Sequence, residues 1–365
     1  LFLTGATGFL GGAIAANWLA RPGATMPLFL VRAADPAQGV QRLRAQLQAS
    51  GVPAATLERI GPGDIVLGDL ETVASFGQDP RLDSVDLVIS SAALATFSQN
   101  PKLRPVNVDG TFALAERFSR NRNLHRFLQI GTAMCCGPGL PTPVLEDWKN
   151  GIDAQHVVPY TRSKLDAELM IREKLPTLPL ICARPSIVVG DTKLGCGPSA
   201  SIFWVFRMAQ LLGAFTCGLD ERIDVIPVDW CAEALVTLAT KPQLKHDLYH
   251  VAAGAWSDNF ADIDIALAEA DGKQPWGPRY RKVGRDDMRA LAEEFASHVP
   301  EAHPRLIMRA MRIYGGFAEM NYVFDNHRML DEGVPPPPRL VSYLGTCLRS
   351  VQGRSMLEMM QSDFK

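Results

Sequence analysis

The chain has 365 residues, 47% hydrophobic and 21% charged, with a formal net charge of −2. That balance belongs to a globular protein with a sizeable core, as two average domains or one enlarged α/β domain, and offers no basic excess for nucleic-acid binding. No apolar run reaches the roughly 18 residues of a membrane span, and seven cysteines without a CxxC pair make neither a disulfide nor a zinc framework, so a cytoplasmic protein with reduced thiols and no metal centre is expected.

The chain opens on the apolar run Leu1-Phe2-Leu3, with no secretory leader before it and upstream residues expected to be missing. Thr4-Gly5-Ala6-Thr7-Gly8-Phe9-Leu10-Gly11 follows directly. Glycine suits a dinucleotide site at these places: Gly5 for a sharp turn off the strand, Gly8 for close approach to a pyrophosphate, Gly11 for packing of the next helix. A helix over 12–20 then turns its amide donors and positive dipole end toward the phosphates. Thr4, Gly5, Thr7, Gly8, Phe9, Leu10 and Gly11 are the cofactor-binding candidates of this segment.

A second strand over 27–31 ends in Arg32, where selection of the unphosphorylated cofactor asks for an acidic residue. Arginine suits a 2′-phosphate, so NADP(H) is expected in preference to NAD(H). Arg42 and Arg44, on a helix over 37–49, either reach the same phosphate or form a solvated face. Asp35 lies close by and competes with that reading.

Further strands are predicted over 64–67, 85–89, 127–130 and 180–183, with helices over 103–119 and 159–174. The strands are apolar throughout rather than alternating, which suits parallel strands buried on both faces. The fold class is therefore α/β, a Rossmann-type doubly wound parallel sheet of six or seven strands, with a smaller, mostly helical C-terminal substrate lobe. After Gly190 come an apolar helix over 201–212, a strand near 248–251, a charged stretch over 285–294, a Met-rich helix over 307–320 and a polyproline segment at 335–338. Residues 1–190, with a strand returning near 247–252, are assigned to NADP binding. Residues 191–225 and 254–365 are assigned to the substrate lobe, closing over the nucleotide end of the sheet.

The catalytic candidates are Tyr160 and Lys164, in Tyr160-Thr161-Arg162-Ser163-Lys164, with Thr132 upstream. Residues four apart share a helix face, so phenol and ammonium can meet above one cofactor, and a nearby cation is expected to lower the phenol pKa. Thr132 follows the 127–130 strand at the sheet edge where ligands of open α/β folds bind. Without a cofactor the same spacing describes a surface Tyr–Lys pair.

Together these motifs resemble the extended short-chain dehydrogenase/reductases, in that family's order over about the first 230 residues. They are Thr4 to Gly12, Gly68-Asp69-Leu70, Ser91-Ala92-Ala93, Asn107-Val108-Asp109-Gly110-Thr111, Thr132, Tyr160 with Lys164, and Arg184-Pro185. The resemblance implies Asp69, beside Leu70, at the adenine, and Ala92 and Ala93 along the cofactor cleft. It implies Lys164 on the nicotinamide ribose as well, and the Pro185 segment, including Ile187, against the nicotinamide.

Leu30-Val31-Arg32, the stretch from Ala183 to Asp191 and Asp224-Val225-Ile226-Pro227-Val228-Asp229 are most similar to the fatty acyl-CoA reductase and thioester reductase branch. Gly131-Thr132-Ala133-Met134 departs from that branch's Ser-Thr-Ala-Tyr segment, and Ser90-Ser91 stands where a histidine often precedes the two alanines. The reaction implied is hydride transfer from NADPH to an acyl thioester, on CoA or a carrier protein, giving aldehyde or alcohol. Ile202-Phe203-Trp204-Val205-Phe206 and the Met-rich helix either line an acyl channel or are ordinary core. The Met-rich helix also fits peripheral membrane contact. Two other readings share the nucleotide motifs: an epimerase, dehydratase or dehydrogenase of a sugar nucleotide or hydroxysteroid-like substrate, for which Arg222 is the obvious pyrophosphate partner, and a non-enzymatic NADP-binding regulator.

Overall fold

Seven short apolar runs pair into one sheet in which every strand is parallel to its neighbours. In the computed structural model they are β1 (Phe2–Thr4), β2 (Leu28–Val31), β3 (Ile65–Leu67), β4 (Leu87–Ser90), β5 (Arg126–Ile130), β6 (Leu180–Pro185) and β7 (Leu248–Val251). The structure describes all residues except Ser201, Arg285, Phe364 and Lys365, with side chains described through residue 360. Ser201 and Arg285, the expected first residues of the apolar helix and the charged stretch, thus lie outside the described residues.

Strand order is β7-β6-β5-β4-β1-β2-β3. The chain runs outward from β1 through β2 to β3, then crosses back to β4 and continues the other way. Beyond the carboxyl ends of β1 and β4 this leaves the crevice in which open α/β sheets bind ligands.

Strand alternation fills both faces of the sheet. Leu3, Ile89 and Leu128 point into one core, shared with Ile14 of the Phe9–Ala20 helix and Leu235 of the Val228–Thr240 helix. Phe2, Val88 and Phe127 point into the opposite core, with Leu114 and Phe118 of the Thr111–Ser119 helix. Burial on both faces is why these strands read as continuous apolar runs.

A third core gathers the helices Phe203–Leu212, Met288–His298 and Pro304–Ala318. Trp204, fully buried, stacks on Phe295 at 6.5 Å and meets Tyr314 edge-on at 5.5 Å. Asp258–Asn259 pairs antiparallel with Arg222–Ile223, stitching the segment after β7 to the segment before it.

Sequence expectation and structure differ mainly at element ends. The first helix begins at Phe9 rather than residue 12, because Gly8, in an extended conformation, is its N-cap. Pro36 opens the second helix, and Asp35 caps it by accepting from the Gln38 amide at 2.8 Å. Asp35 does not line the crevice beyond β1 and β4. Among the described residues no helix is long and apolar enough to cross a membrane.

Candidate active site

The crevice at the β1/β4 switch is a cleft of about 540 Å³. Of the expected cofactor residues, Gly5, Thr7, Gly8, Phe9, Leu10, Gly11, Arg32, Arg42, Asp69, Leu70, Ala92, Ala93, Lys164 and Pro185 line it. Gly5 has φ +77°, and a Cβ there would stand 2.8 Å from the Ala92 amide nitrogen. A Cβ on Gly11 would collide with the Gly5 carbonyl, whereas one on Gly8 would meet only that carbonyl at 3.3 Å. Gly8 thus has a single close backbone neighbour, whereas Gly11 is hemmed in by backbone on several sides. No side chain caps the helix at Gly8, so its first-turn amides are left for an anion in the cleft. This cradle fits a pyrophosphate.

Two expected cofactor residues lie elsewhere. Thr4 is fully buried in β1, and its hydroxyl accepts from the Ser91 and Ala92 amides at 3.0 and 2.9 Å. It tethers the loop after β4 and does not line the cleft. Ile187 lines the neighbouring apolar cavity instead; alternation along the extended backbone puts Ser186 and Val188 at the junction and Ile187 beyond it.

Arg32 and Arg42 stand together at the far end of the cleft, exposed, the Arg42 guanidinium donating to the Arg32 carbonyl. Arg44 is not available to a phosphate, because it donates to the Glu58 and Ile60 carbonyls at 3.2 and 2.7 Å. The Asp69 carboxylate is engaged in its own turn, accepting from the Glu71 amide at 2.9 Å.

Tyr160 and Lys164 lie on the Pro159–Lys174 helix, whose first residue is a proline preset for a helix start. Asn107 anchors this helix to the loop after β4. Its amide donates to Ser163 Oγ at 3.0 Å and to the Leu94 carbonyl at 3.1 Å, and its carbonyl accepts from the Leu94 amide at 2.7 Å. Thr132 follows β5, and its hydroxyl accepts from the Met134 amide at 3.3 Å.

The expected lowering of the Tyr160 pKa does not occur. Burial pushes the phenol up to about 12. Lys164, only 3% exposed, is itself lowered to about 8 by burial, opposed chiefly by the Glu168 carboxylate one turn further along. Desolvation penalises both charged forms and outweighs the pairing that spacing alone suggested. The phenol therefore stays protonated, a donor, across the physiological range. Glu168 is bound to Arg184 at 2.8 Å, both side chains fully buried, so the helix and β6 are joined by an ion pair beneath the site.

An apolar cavity of about 220 Å³ meets the cleft at Thr132, Tyr160, Ser186 and Val188, the residues that line both. Ile202, Val205 and Phe206 line it, while Phe203 and Trp204 turn into the third core. Tyr314 and Phe317 supply the wall from the Met-rich helix. Met311 is fully buried in that core, so the expectation of a methionine lining is corrected: the helix turns its aromatic residues to the cavity and this methionine away from it. Phe97, which no motif marked, packs 6.1 Å from Tyr160, 5.8 Å from Tyr314 and 6.0 Å from Phe317. It also borders an outer groove bearing Arg305, Arg309 and Arg312.

Arg222 lies outside the cavity; its guanidinium donates to the Ser257 carbonyl at 3.1 Å. Neither lysine nor arginine is among the cavity's lining residues. Among the described residues one potential metal-ligand group, Glu146, Asp325 and His327, borders neither cleft nor cavity, and Arg328 stands 3.3 Å from Glu146.

Fold and cleft together define an NAD(P)-dependent oxidoreductase of the extended short-chain dehydrogenase/reductase type. The chain belongs to the NAD-binding family described as male sterility protein, whose profile matches residues 3–235. It is 24% identical over 299 residues to the non-canonical nonribosomal peptide synthetase FrzA of a Cladobotryum species, covering 76% of this chain and 28% of that protein. The chain thus spans little more than a quarter of that relative's length. Among solved structures it is similar to the terminal R domain from the myxalamid PKS-NRPS biosynthetic pathway, with TM-score 0.76, 22% identity and coverage of 97% of this chain and 90% of that one. WbmH of Bordetella bronchiseptica, solved with NAD+, shares the fold at TM-score 0.61 and 19% identity, covering 97% and 98%.

Proposed function

We propose that this chain reduces an acyl thioester with NADPH, releasing an aldehyde, and that the segments 191–225 and 254–365 form its substrate lobe. The observation carrying this reading is the junction of an apolar cavity with the nucleotide cleft at Thr132 and Tyr160. When bound, NADPH supplies the hydride; the rest falls to side chains. The Tyr160 and Thr132 hydroxyls donate to the oxygen that becomes anionic as the carbonyl carbon gains hydride. The carbon–sulfur bond then breaks, the thiolate leaves and takes up a proton, and the carbonyl re-forms as the aldehyde. A phenol pushed up to about 12 suits this duty, since it remains a donor at neutral pH. Lys164 holds the ribose hydroxyls below.

Arg32 and Arg42 together favour the 2′-phosphorylated cofactor. Kinship with multidomain synthetases supports delivery of the acyl group on a carrier, and exposed Arg305, Arg309 and Arg312 offer an anionic arm a route past Phe97. The sugar-nucleotide reading is disfavoured because a second pyrophosphate would find no cation on the cavity wall.

NADPH oxidation against acyl-pantetheine thioesters, aldehydes and nucleotide sugars tests the proposal. Thioesters should be consumed with aldehyde release, and Tyr160→Phe should lower kcat at least 100-fold while NADPH affinity changes by less than about threefold. Consumption of nucleotide sugars alone would overturn it.

A further inference from the structure

The apolar cavity is polar at the reaction end and again where it is walled by elements that contribute nothing to the cleft. Every residue lining the cleft lies between Gly5 and Val188. The second polar group is Gln210 at the end of the Phe203–Leu212 helix, Asp264 on the Phe260–Ala270 helix, and Tyr280. Val205, Phe206, Ile263 and Leu267 also line the cavity.

The hydrogen bonding of this trio is incomplete in a directional way. Gln210 Oε1 accepts from Arg207 Nη1 at 3.1 Å, which fixes the amide so that Nε2, buried, has no partner. Asp264 accepts from the Gly277 amide at 3.1 Å and has no ion-pair partner among the described residues. Among the described residues the Tyr280 hydroxyl has only a sulfur partner, Cys217 at 3.7 Å. Burial, Cys217 and then Asp264 hold its phenol well above the usual range, so it keeps its proton. The cavity thus offers a free N–H donor, a hydroxyl and a carboxylate acceptor in apolar surroundings, where unpaired polar groups discriminate strongly between ligands that satisfy them and ligands that do not.

We propose that Gln210, Asp264 and Tyr280 form a recognition site for an amide group carried along the acyl chain, remote from the thioester. The amide N–H donates to the Asp264 carboxylate and its carbonyl accepts from Gln210 Nε2 and the Tyr280 hydroxyl. The inference deepens the thioester reading and rests on it: the chain reduced is amide-bearing, aminoacyl or peptidyl in character, and a plain alkyl chain leaves Gln210 Nε2 without a partner.

The test is a series of pantetheine thioesters bearing ω-acetamido acyl chains of increasing length, each against the alkanoyl chain of equal length. At one length the acetamido substrate should show at least tenfold higher kcat/KM, and Gln210→Leu or Asp264→Leu should abolish that ratio. Alkanoyl chains preferred at every length, or a preference unmoved by both substitutions, would overturn the proposal. Calorimetric binding of the same arms as non-reducible thioethers reads the cavity without turnover. If no thioester is reduced yet the acetamido arm binds at least tenfold more tightly, the reductase reading fails and the amide site stands. Equal affinity for both arms sinks the amide site alone.

Discussion

Charge and hydrogen-bond state at single residues decide what this site can do. Lys164 is the sharpest case, because burial brings it to about 8 while Glu168 holds it from falling further. Below that value the ammonium is present and above it the charge is lost, so NADPH affinity should weaken several-fold between pH 7 and 9.5. Fluorescence titration at stepped pH reads this, and Lys164→Met should bind weakly with that pH dependence removed. Glu168→Gln removes the counter-charge and should move the midpoint to lower pH; an unmoved midpoint would show that Glu168 serves only Arg184. Arg32→Asp should weaken NADPH more than about tenfold while NADH changes less than about threefold, since only the phosphorylated ribose loses a partner and gains a repulsion. Equal losses for both cofactors would remove the 2′-phosphate assignment. At this scale Tyr160, Lys164 and Thr132 were legible as residue types at meaningful spacing. Their ionisation was not, because it follows from burial, which depends on the segments packed around the helix and which no spacing rule reports.

At the scale of elements, the glycine turn separates two demands that the sequence motif merges. Gly11→Ala drives a methyl into the Gly5 carbonyl, so the helix must lift from the turn; the cost should be about 1–3 kcal/mol of stability, read as a lower Tm, along with loss of cofactor binding. Gly8→Ala meets only one atom at 3.3 Å, so Tm should shift little while NADPH affinity falls, because the methyl occupies the space a pyrophosphate needs. Equal Tm losses in the two variants would contradict the distinction. Strands and their order of appearance were readable from apolar runs, since burial on both faces removes polar residues from every position. Helix starts were less so. Phe9 to Gly11 looks like loop until Gly8 is seen as the cap, and Asp35 looks like a ribose ligand until its carboxylate is found on the Gln38 amide.

Across the whole molecule, the cleft is lined only by residues up to Val188, while most of the cavity wall comes from later segments, and the two meet at Thr132, Tyr160, Ser186 and Val188. Trp204→Ala should therefore cost about 3–5 kcal/mol, since it empties a fully buried position between Phe295 and Tyr314. Its NADPH affinity should stay within about twofold of the parent, because no residue beyond Val188 lines the cleft. A matching loss of cofactor affinity would mean that the third core also supports the cleft.

By itself the sequence determined the nucleotide-binding class, because turn geometry, strand burial and helix periodicity are local constraints that must be met within a few consecutive residues. The tertiary structure alone decided which side chains line the cleft and the cavity. Phe97 against Tyr160, Ile187 turned away from the cleft, Arg44 spent on carbonyls and the trio Gln210, Asp264 and Tyr280 all depend on which distant segments meet. Those meetings follow from side-chain packing across the whole chain, which no local pattern encodes.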